Sequence, residues 1–414
     1  MIKLKSTLFL FFIFFYAVSA QDELTIKNAV QYALDQNTEL QQVRSVFKQK
    51  ENVWRTETGI SAPEISYFKE GIGSGPGDVF DEKRVTVSQE IDFPLTAAYR
   101  LKGISEEVKA LEFEVKAIEN EIKAEVKSYY IEVLYANYLQ KSRQNQLKLA
   151  QDLYNAVFTK YETGMANGID LTNAELRLEE ARNDLDQSEW ILHKARYGLF
   201  FAMGLPEEEQ LYSITFSDTL MAAGLEIPQI EALLKQKDHP RFLATQHELQ
   251  ATDFFLKEAK SNFLPDLNLS LYKQNLGNGD GYNFKGFEVG LRIPIWFPLE
   301  QKGKINQATA RREEITWKQK EVALDIKRQI EYAWHNYSVS RSIIDRYNQT
   351  MKDKAAHLQN LSLRAYQLGE IDLLTLLTAQ QTYLASEQRY LESLRDYYLQ
   401  LVALEKYLGQ ELVY

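Results

Sequence analysis

"LPDLNLSLYKQNLGNGDGYNFKGFEVGLRIPI", residues 264–295, decides the architecture. Leu267, Leu269 and Leu271 alternate with Asn268, Ser270 and Tyr272. Beyond a loop rich in Gly, Asp and Asn, Phe287, Val289, Leu291, Ile293 and Ile295 alternate with Glu288, Gly290, Arg292 and Pro294. A period of two gives a strand one apolar and one polar face. "VTVSQEIDF", residues 85–93, repeats the pattern: Val85, Val87, Ile91 and Phe93 alternate with Thr86, Ser88, Glu90 and Asp92. Each run is roughly ten residues, the length of a tilted membrane-crossing strand. A soluble hairpin packed against helices has the same period, so periodicity alone leaves both readings open.

These segments sit in a chain that repeats itself, and a repeat decides architecture. Pro63 of "APEIS" falls on Pro265 at an offset of 202, and Asn37-Thr38-Glu39-Leu40 falls on His239-Pro240-Arg241-Phe242. Later, at an offset of 205, Tyr161 meets Tyr366, Gly164 meets Gly369, Leu171 meets Leu376 and Gly204 meets Gly409. The expected halves are 21–220 and 221–414. Each reads as a helix of about thirty residues, a β-hairpin (about 62–94 and 264–295), a very long helix, a glycine turn and a closing helix. Only Gly103 interrupts the stretch from Ala97 to Lys160, and no proline does. From Gly303 to Leu368 no proline or second glycine occurs. At 1.5 Å per residue each helix would reach on the order of 100 Å. Leu111, Val115, Ile118, Ile122, Val126, Tyr129 and Val133 follow an eleven-residue period. Leu384, Leu391 and Tyr398 interleave with Leu394, Leu401 and Leu408 in heptads.

The first twenty residues, "MIKLKSTLFLFFIFFYAVSA", have Lys3 and Lys5 before an apolar run and end in small residues. They read as a secretory signal peptide cleaved before Gln21. The chain carries a formal charge of −10. That argues against a nucleic-acid partner, which needs a basic surface. It has no cysteine, which excludes disulfides, thiolate catalysis and acylation at a cysteine. His193, His239, His247, His335 and His357 show no metal-ligand spacing. His193 reads as a helix-surface residue and His239, before Pro240, as serving a turn at a helix end. "GIGSGPG", residues 71–77, has Pro76 where a dinucleotide loop needs otherwise. No nucleophile elbow frames a serine. The expectation is a protein that is not an enzyme and carries no cofactor or metal.

Four amphipathic strands cannot close a barrel alone, and an open sheet edge in hydrocarbon leaves backbone groups unsatisfied. Three copies would supply twelve strands. The polar residues Ser88, Glu90, Ser270, Glu288 and Arg292 would then face a lumen. Val85, Val87, Leu267, Leu269, Phe287, Val289 and Leu291 would face lipid.

"LTIKNAVQYALDQNTEL", "APEIS" with "VTVSQEIDFP", "LPDLNLS" with "FEVGLRIPI", "YETGMANGIDLTNAELRLEEA" and "YQLGEIDLLTLLTAQQTYL" together resemble the TolC family of outer-membrane efflux channels. The resemblance covers essentially the whole chain after the leader. It implies a mainly α fold with a small β part: long antiparallel helices forming a periplasmic α-barrel, with four strands per chain contributing to a trimeric 12-stranded transmembrane β-barrel. It implies a homotrimer in the outer membrane and its lipid, a passive export duct for small molecules, drugs or metal ions. Its partners would be a periplasmic adaptor protein and an inner-membrane pump. Gly164 and Gly369 match the family's periplasmic helix–turn–helix tips, where a tight turn favours a glycine with φ > 0. Tyr161, Asp170, Tyr366, Glu370 and Asp372 would join them in docking the adaptor. Some members carry acids six and nine positions after the glycine. Here the first tip has Asp170 and Asn173 and the second Thr375 and Thr378, which weakens an acidic ring at the second tip. The competing readings are a periplasmic coiled-coil adaptor and a secreted structural interaction protein. An adaptor has one helical hairpin, not two with four amphipathic strands.

Overall fold

A computed structural model describes residues 23–71, 82–205, 215–216, 218–220, 227–234, 238–277, 281–293, 297–409 and 411–413. The signal-peptide reading of 1–20, the cleavage point and most of the 71–77 glycine run lie outside them.

The first half opens with strand β1 (Glu23–Leu24) and helices α1 (Ile26–Gln36) and α2 (Thr38–Glu51). The expected single helix of about thirty residues is broken at Asn37. Its backbone is extended (φ −61°, ψ 122°): its N–H closes α1 onto Ala33, and its side chain accepts from the Leu40 N–H of α2. An asparagine side chain competes with the helical ladder for a backbone donor, so it stops one helix and caps the next. In the second half, where the same helix was expected, α6 is shorter, Pro240–Ser261. Its N-cap is His239, the residue aligned with Asn37.

Strands β2 (Glu64–Glu70) and β3 (Glu82–Ile91) form one hairpin, β5 (Asp266–Leu276) and β6 (Tyr282–Arg292) the other. They join in one antiparallel sheet of order β2-β3-β5-β6. Strand pairing runs past the apolar alternation: Lys273–Leu276 and Tyr282–Gly286, which composition assigns to a loop, continue the ladder. Once two strands are in register, each further residue gains backbone bonds regardless of side-chain polarity.

Helix α3 runs unbroken over Pro94–Glu162, 69 residues or roughly 100 Å. Pro94 starts it, at a position whose N–H has no helical partner anyway. After the first glycine turn comes α4 (Gly168–Ala202). Strand β4 (Thr215–Phe216) pairs in parallel with β1, and a short α5 (Ile230–Leu233) precedes α6. In the second half the expected continuous long helix is interrupted. Helix α7 (Phe297–Arg346) passes through a π-turn, Tyr347–Met351, into α8 (Lys352–Leu368), and α9 (Leu373–Leu408) closes the fold. The π-turn places the Tyr347 ring on Tyr390, centroids 4.2 Å apart.

The core runs along α3. Ile122, Val126, Tyr130, Val133 and Leu134 pack with Leu199 from α4, Ala29 and Ala33 from α1, and Leu394, Leu401 and Leu404 from α9. The eleven-residue stripe and the closing heptads meet in this cluster. Tyr130 donates its hydroxyl to the Leu24 carbonyl at 2.6 Å. Lys127 and Glu405, both buried, pair with each other. Lys127 Nζ also donates to the Val413 carbonyl, and the Glu405 carboxylate accepts from the Leu412 and Val413 N–H groups. A charge that far from water is tolerated only when paired and hydrogen-bonded.

The sheet is anchored to the helices by polar contacts. Arg100 of α3 bridges Asp92, just past β3, and Glu258 of α6, each at 2.7 Å. Asp266 accepts from the Phe93 N–H, and Thr96 donates to Ser261. Arg100 is thereby held protonated despite its partial burial.

Candidate functional site

The two glycine turns lie side by side at one end of the long helices. Each ends its helix in the same way. Gly164 (φ +74°) donates to the Tyr161 carbonyl and Met165 to that of Lys160. Gly369 (φ +78°) donates to Tyr366 and Glu370 to Ala365. This 5→2, 6→1 pair satisfies carbonyls the helix leaves open, and its central residue must be left-handed. A Cβ at either glycine would meet nothing within 4 Å. Glycine is present for its backbone, not for space.

The following helices start with side-chain caps. Asn167 and Asp170 form a reciprocal capping box at α4, and Asp372 accepts from the Thr375 N–H at 2.8 Å at α9. Hydrogen bonds from Thr375 hold the Asp372 carboxyl below its usual range. Asp170 and Asp372, singled out from sequence, thus have a local task, since negative groups stabilise a helix N-terminus. Asp372 and Glu370 remain exposed and Asp170 is half-buried.

The two tyrosines differ. Tyr161 is 45% exposed, whereas Tyr366 is 4% exposed. Tyr366 packs with Leu153, Val157, Ala174, Leu373 and Leu376 in a second cluster that joins the two tips. Burial and the nearby Asp170 charge push its phenol up. Lys160, which sequence reasoning missed, ties the turns together. Its ammonium donates to the Tyr366 carbonyl at 2.5 Å and lies 4.0 Å from the Tyr366 ring centroid. Sequence reasoning also missed the apolar residues exposed around the turns: Met165, Ile169, Leu368 and Leu374. The available signal was a large apolar residue inside or next to turn sequence, where polar residues are the rule.

At the other end of α3 the sheet register sorts every strand residue by parity. Ser88, Ser270 and Glu288 fall in one cross-strand row with Glu64. Glu90 lies in the next row with Asn268 and Gly290, and is ion-paired to Arg292. All five residues expected at a lumen therefore share the polar face. The opposite face carries Ile65, Val87, Leu271 and Phe287 in one row and Ile91, Leu267 and Leu291 in another. Gln89 sits on this apolar side between Leu269 and the hairpin base, where its amide donates to the Ser61 carbonyl. Val85, Val87, Leu269, Leu271, Phe287, Val289 and Leu291 are exposed on this face. A contiguous apolar surface of this kind marks a protein or membrane contact.

No helix among the described residues is long and apolar enough to cross a membrane. Among the described residues no group of three or more His, Asp or Glu could hold a metal ion. His193 is exposed beside Trp190. His239 is buried, accepts from the Arg241 N–H as the cap of α6 and stacks on Tyr407.

The family model "outer membrane efflux protein" matches residues 234–410, from just after α5 to just past α9. The second half of the chain is thus similar to outer membrane efflux proteins. The chain is 25% identical over 313 residues to the pyoverdine export outer membrane protein OpmQ of Pseudomonas aeruginosa, covering 73% of this chain and 64% of that one. It is 23% identical over 290 residues to the cobalt-zinc-cadmium resistance protein CzcC of Cupriavidus metallidurans, covering 69% and 67%. The chain thus spans just under two thirds of the length of OpmQ. Its fold matches the outer membrane protein VceC of Vibrio cholerae with a TM-score of 0.79 at 16% identity, over 93% of this chain and 96% of that one.

Proposed function

We propose that this chain is the outer-membrane channel of a tripartite export system, a passive duct from periplasm to exterior. The observation that carries the reading is the four-stranded sheet. Its apolar face is exposed, its polar face carries a cross-strand row of hydroxyl and charged groups (Glu64, Ser88, Ser270 and Glu288), and β2 and β6 leave both edges open. An open edge costs several kcal/mol per unpaired group in hydrocarbon, so the sheet demands closure. Three copies pairing β6 of one with β2 of the next would make a twelve-stranded barrel, within the range of outer-membrane barrels. Ser88, Glu90, Ser270, Glu288 and Arg292 would then line its lumen.

The α3–α4 and α8–α9 hairpins extend from the sheet as a periplasmic tunnel. Their tips, with Tyr161, Gly164, Asp170, Tyr366, Gly369, Glu370 and Asp372, would dock a periplasmic adaptor and through it an inner-membrane pump. The exposed Met165, Ile169, Leu368 and Leu374 support a contact surface there. The relatives named for pyoverdine export and for cobalt, zinc and cadmium resistance point to small molecules or metal ions as cargo. The passive duct assigns catalysis to no residue.

The test is mass measurement of the protein extracted from outer membranes in mild detergent, with conductance in planar bilayers. Three chains per particle and a water-filled pore are expected. A monodisperse monomer that retains its β signal would overturn the reading.

A further inference from the structure

Charge in the sheet is segregated by face. On the polar face the described strand residues include Glu64, Glu70, Glu82, Glu90, Asp266 and Glu288, with Arg84 and Arg292 set among them. There Arg84 pairs with Glu82, which also accepts from Gln274, and Arg292 pairs with Glu90. The apolar face carries four lysines and, among the described strand residues, no carboxylate. They occupy two adjacent cross-strand rows. One row is Tyr67, Val85, Lys273 and Lys285, and the next is Lys69, Lys83, Asn275 and Asn283. All four lysines are exposed. Both rows lie beyond the apolar rows, towards the hairpin ends and away from the helices.

We propose that these lysines form a binding belt for phosphate-bearing lipid headgroups of the outer leaflet. The proposal rests on the channel reading above, which puts the helices in the periplasm and the hairpin ends at the outer leaflet. A lysine facing hydrocarbon at the midplane is strongly unfavourable, and the penalty fades towards the interface. The belt begins where the apolar rows stop. The lysine stems extend the apolar surface while their ammonium groups reach the headgroup layer. The rows are about 7 Å apart, and four strands span roughly 15 Å. That footprint suits a headgroup with more than one phosphate. Tyr67 in the first row adds an aromatic at the same level, where such rings collect in membrane proteins. An adaptor or another protein does not account for a belt of one sign placed along the edge of a lipid-facing band.

The test titrates the full chain, purified as trimer in mild detergent, with diphosphorylated lipid A, phosphatidylcholine and inorganic phosphate. Bound ligand is counted by native mass spectrometry. Wild type should bind lipid A well below the concentration at which phosphatidylcholine binds, and high salt should weaken that binding. An interfacial lysine contributes about fivefold. The triple variant Lys69→Gln, Lys273→Gln, Lys285→Gln should therefore lose lipid A affinity on the order of a hundredfold. Its phosphatidylcholine binding should be unchanged, and the corresponding triple Lys→Arg variant should retain both. Equal lipid A binding by the Gln variant, salt-independent binding by wild type, or uptake of inorganic phosphate alone would each overturn the belt. If the Gln variant does not assemble, the salt titration of wild type and the Arg variant decide. A chain that is not trimeric in detergent refutes the channel reading instead. A trimer indifferent to lipid phosphate refutes only the belt.

Discussion

Replacing Gly369 by alanine isolates a backbone cost from every packing cost. Its φ is +78° and ψ 18°, and an added Cβ would meet nothing within 4 Å. The penalty is then that of an L residue held left-handed, about 1–2 kcal/mol. Alanine also restricts the unfolded chain, which returns about 0.4–1 kcal/mol. The net cost is about 1 kcal/mol, a fivefold change in an opening equilibrium. It should appear at the turn, because the bonds it weakens are those from the residue-369 N–H to Tyr366 and from the Glu370 N–H to Ala365. Amide hydrogen exchange measures this directly. Those amides should exchange about fivefold faster, with the sheet amides unchanged at the far end of the helices. Gly409→Ala is the matched control, with φ +66° and open space around it. Gly204 is a poorer control than its equivalent position in the repeat suggests, because a Cβ there would approach the Gln36 carbonyl at 3.3 Å. In cells, the Gly369 variant should reach the outer membrane as trimer while export falls, and the Gly409 variant should export normally. Unchanged exchange at the turn would refute the strain argument. Loss of trimer would make Gly369 a folding residue and remove the case for docking.

Leu269→Arg or Val289→Arg places a charge on the apolar face and should cost about 2–4 kcal/mol near the midplane, blocking assembly. Ser270→Arg, one position along, should assemble; equal damage from both, read as trimer in membranes, would overturn the face assignment. His239 is pushed down to about 4 by burial and by the Arg241 and Lys406 charges, from 6.5. The unfolded chain therefore binds the extra proton first: stability is full above pH 6.5 and falls between 6.5 and 4, by up to about 3 kcal/mol. His239→Asn, which keeps a capping acceptor as Asn37 does, should flatten that part of the pH–stability profile. Lys127→Met strands the buried Glu405 charge and should destabilise by about 3–5 kcal/mol in thermal or denaturant unfolding. Adding Glu405→Leu should recover only part of the loss, because the Leu412 and Val413 N–H groups then lose their acceptor.

What depends on neighbours a few residues apart was legible in the order of residues. A period of two assigns the faces of β3, β5 and β6. Uninterrupted helix formers yield α3, and a glycine between two helical stretches marks each reversal of the chain. These are short-range preferences, and the polypeptide carries them wherever it folds. Tertiary structure decided what depends on residues some two hundred positions away. Tyr161 and Tyr366 occupy equivalent positions in the repeat, yet only Tyr366 is buried, because Lys160 and Leu153 of the other tip pack on it. Asn37 and His239 look unrelated as letters and serve as the same cap. The π-turn at Tyr347 follows no local breaker and is placed against Tyr390 of α9. The lysine belt was invisible in sequence because Lys273 and Lys285 read as loop residues. Only the register, set by backbone pairing between strands, aligns them in one row and aims them at the same face as the apolar band.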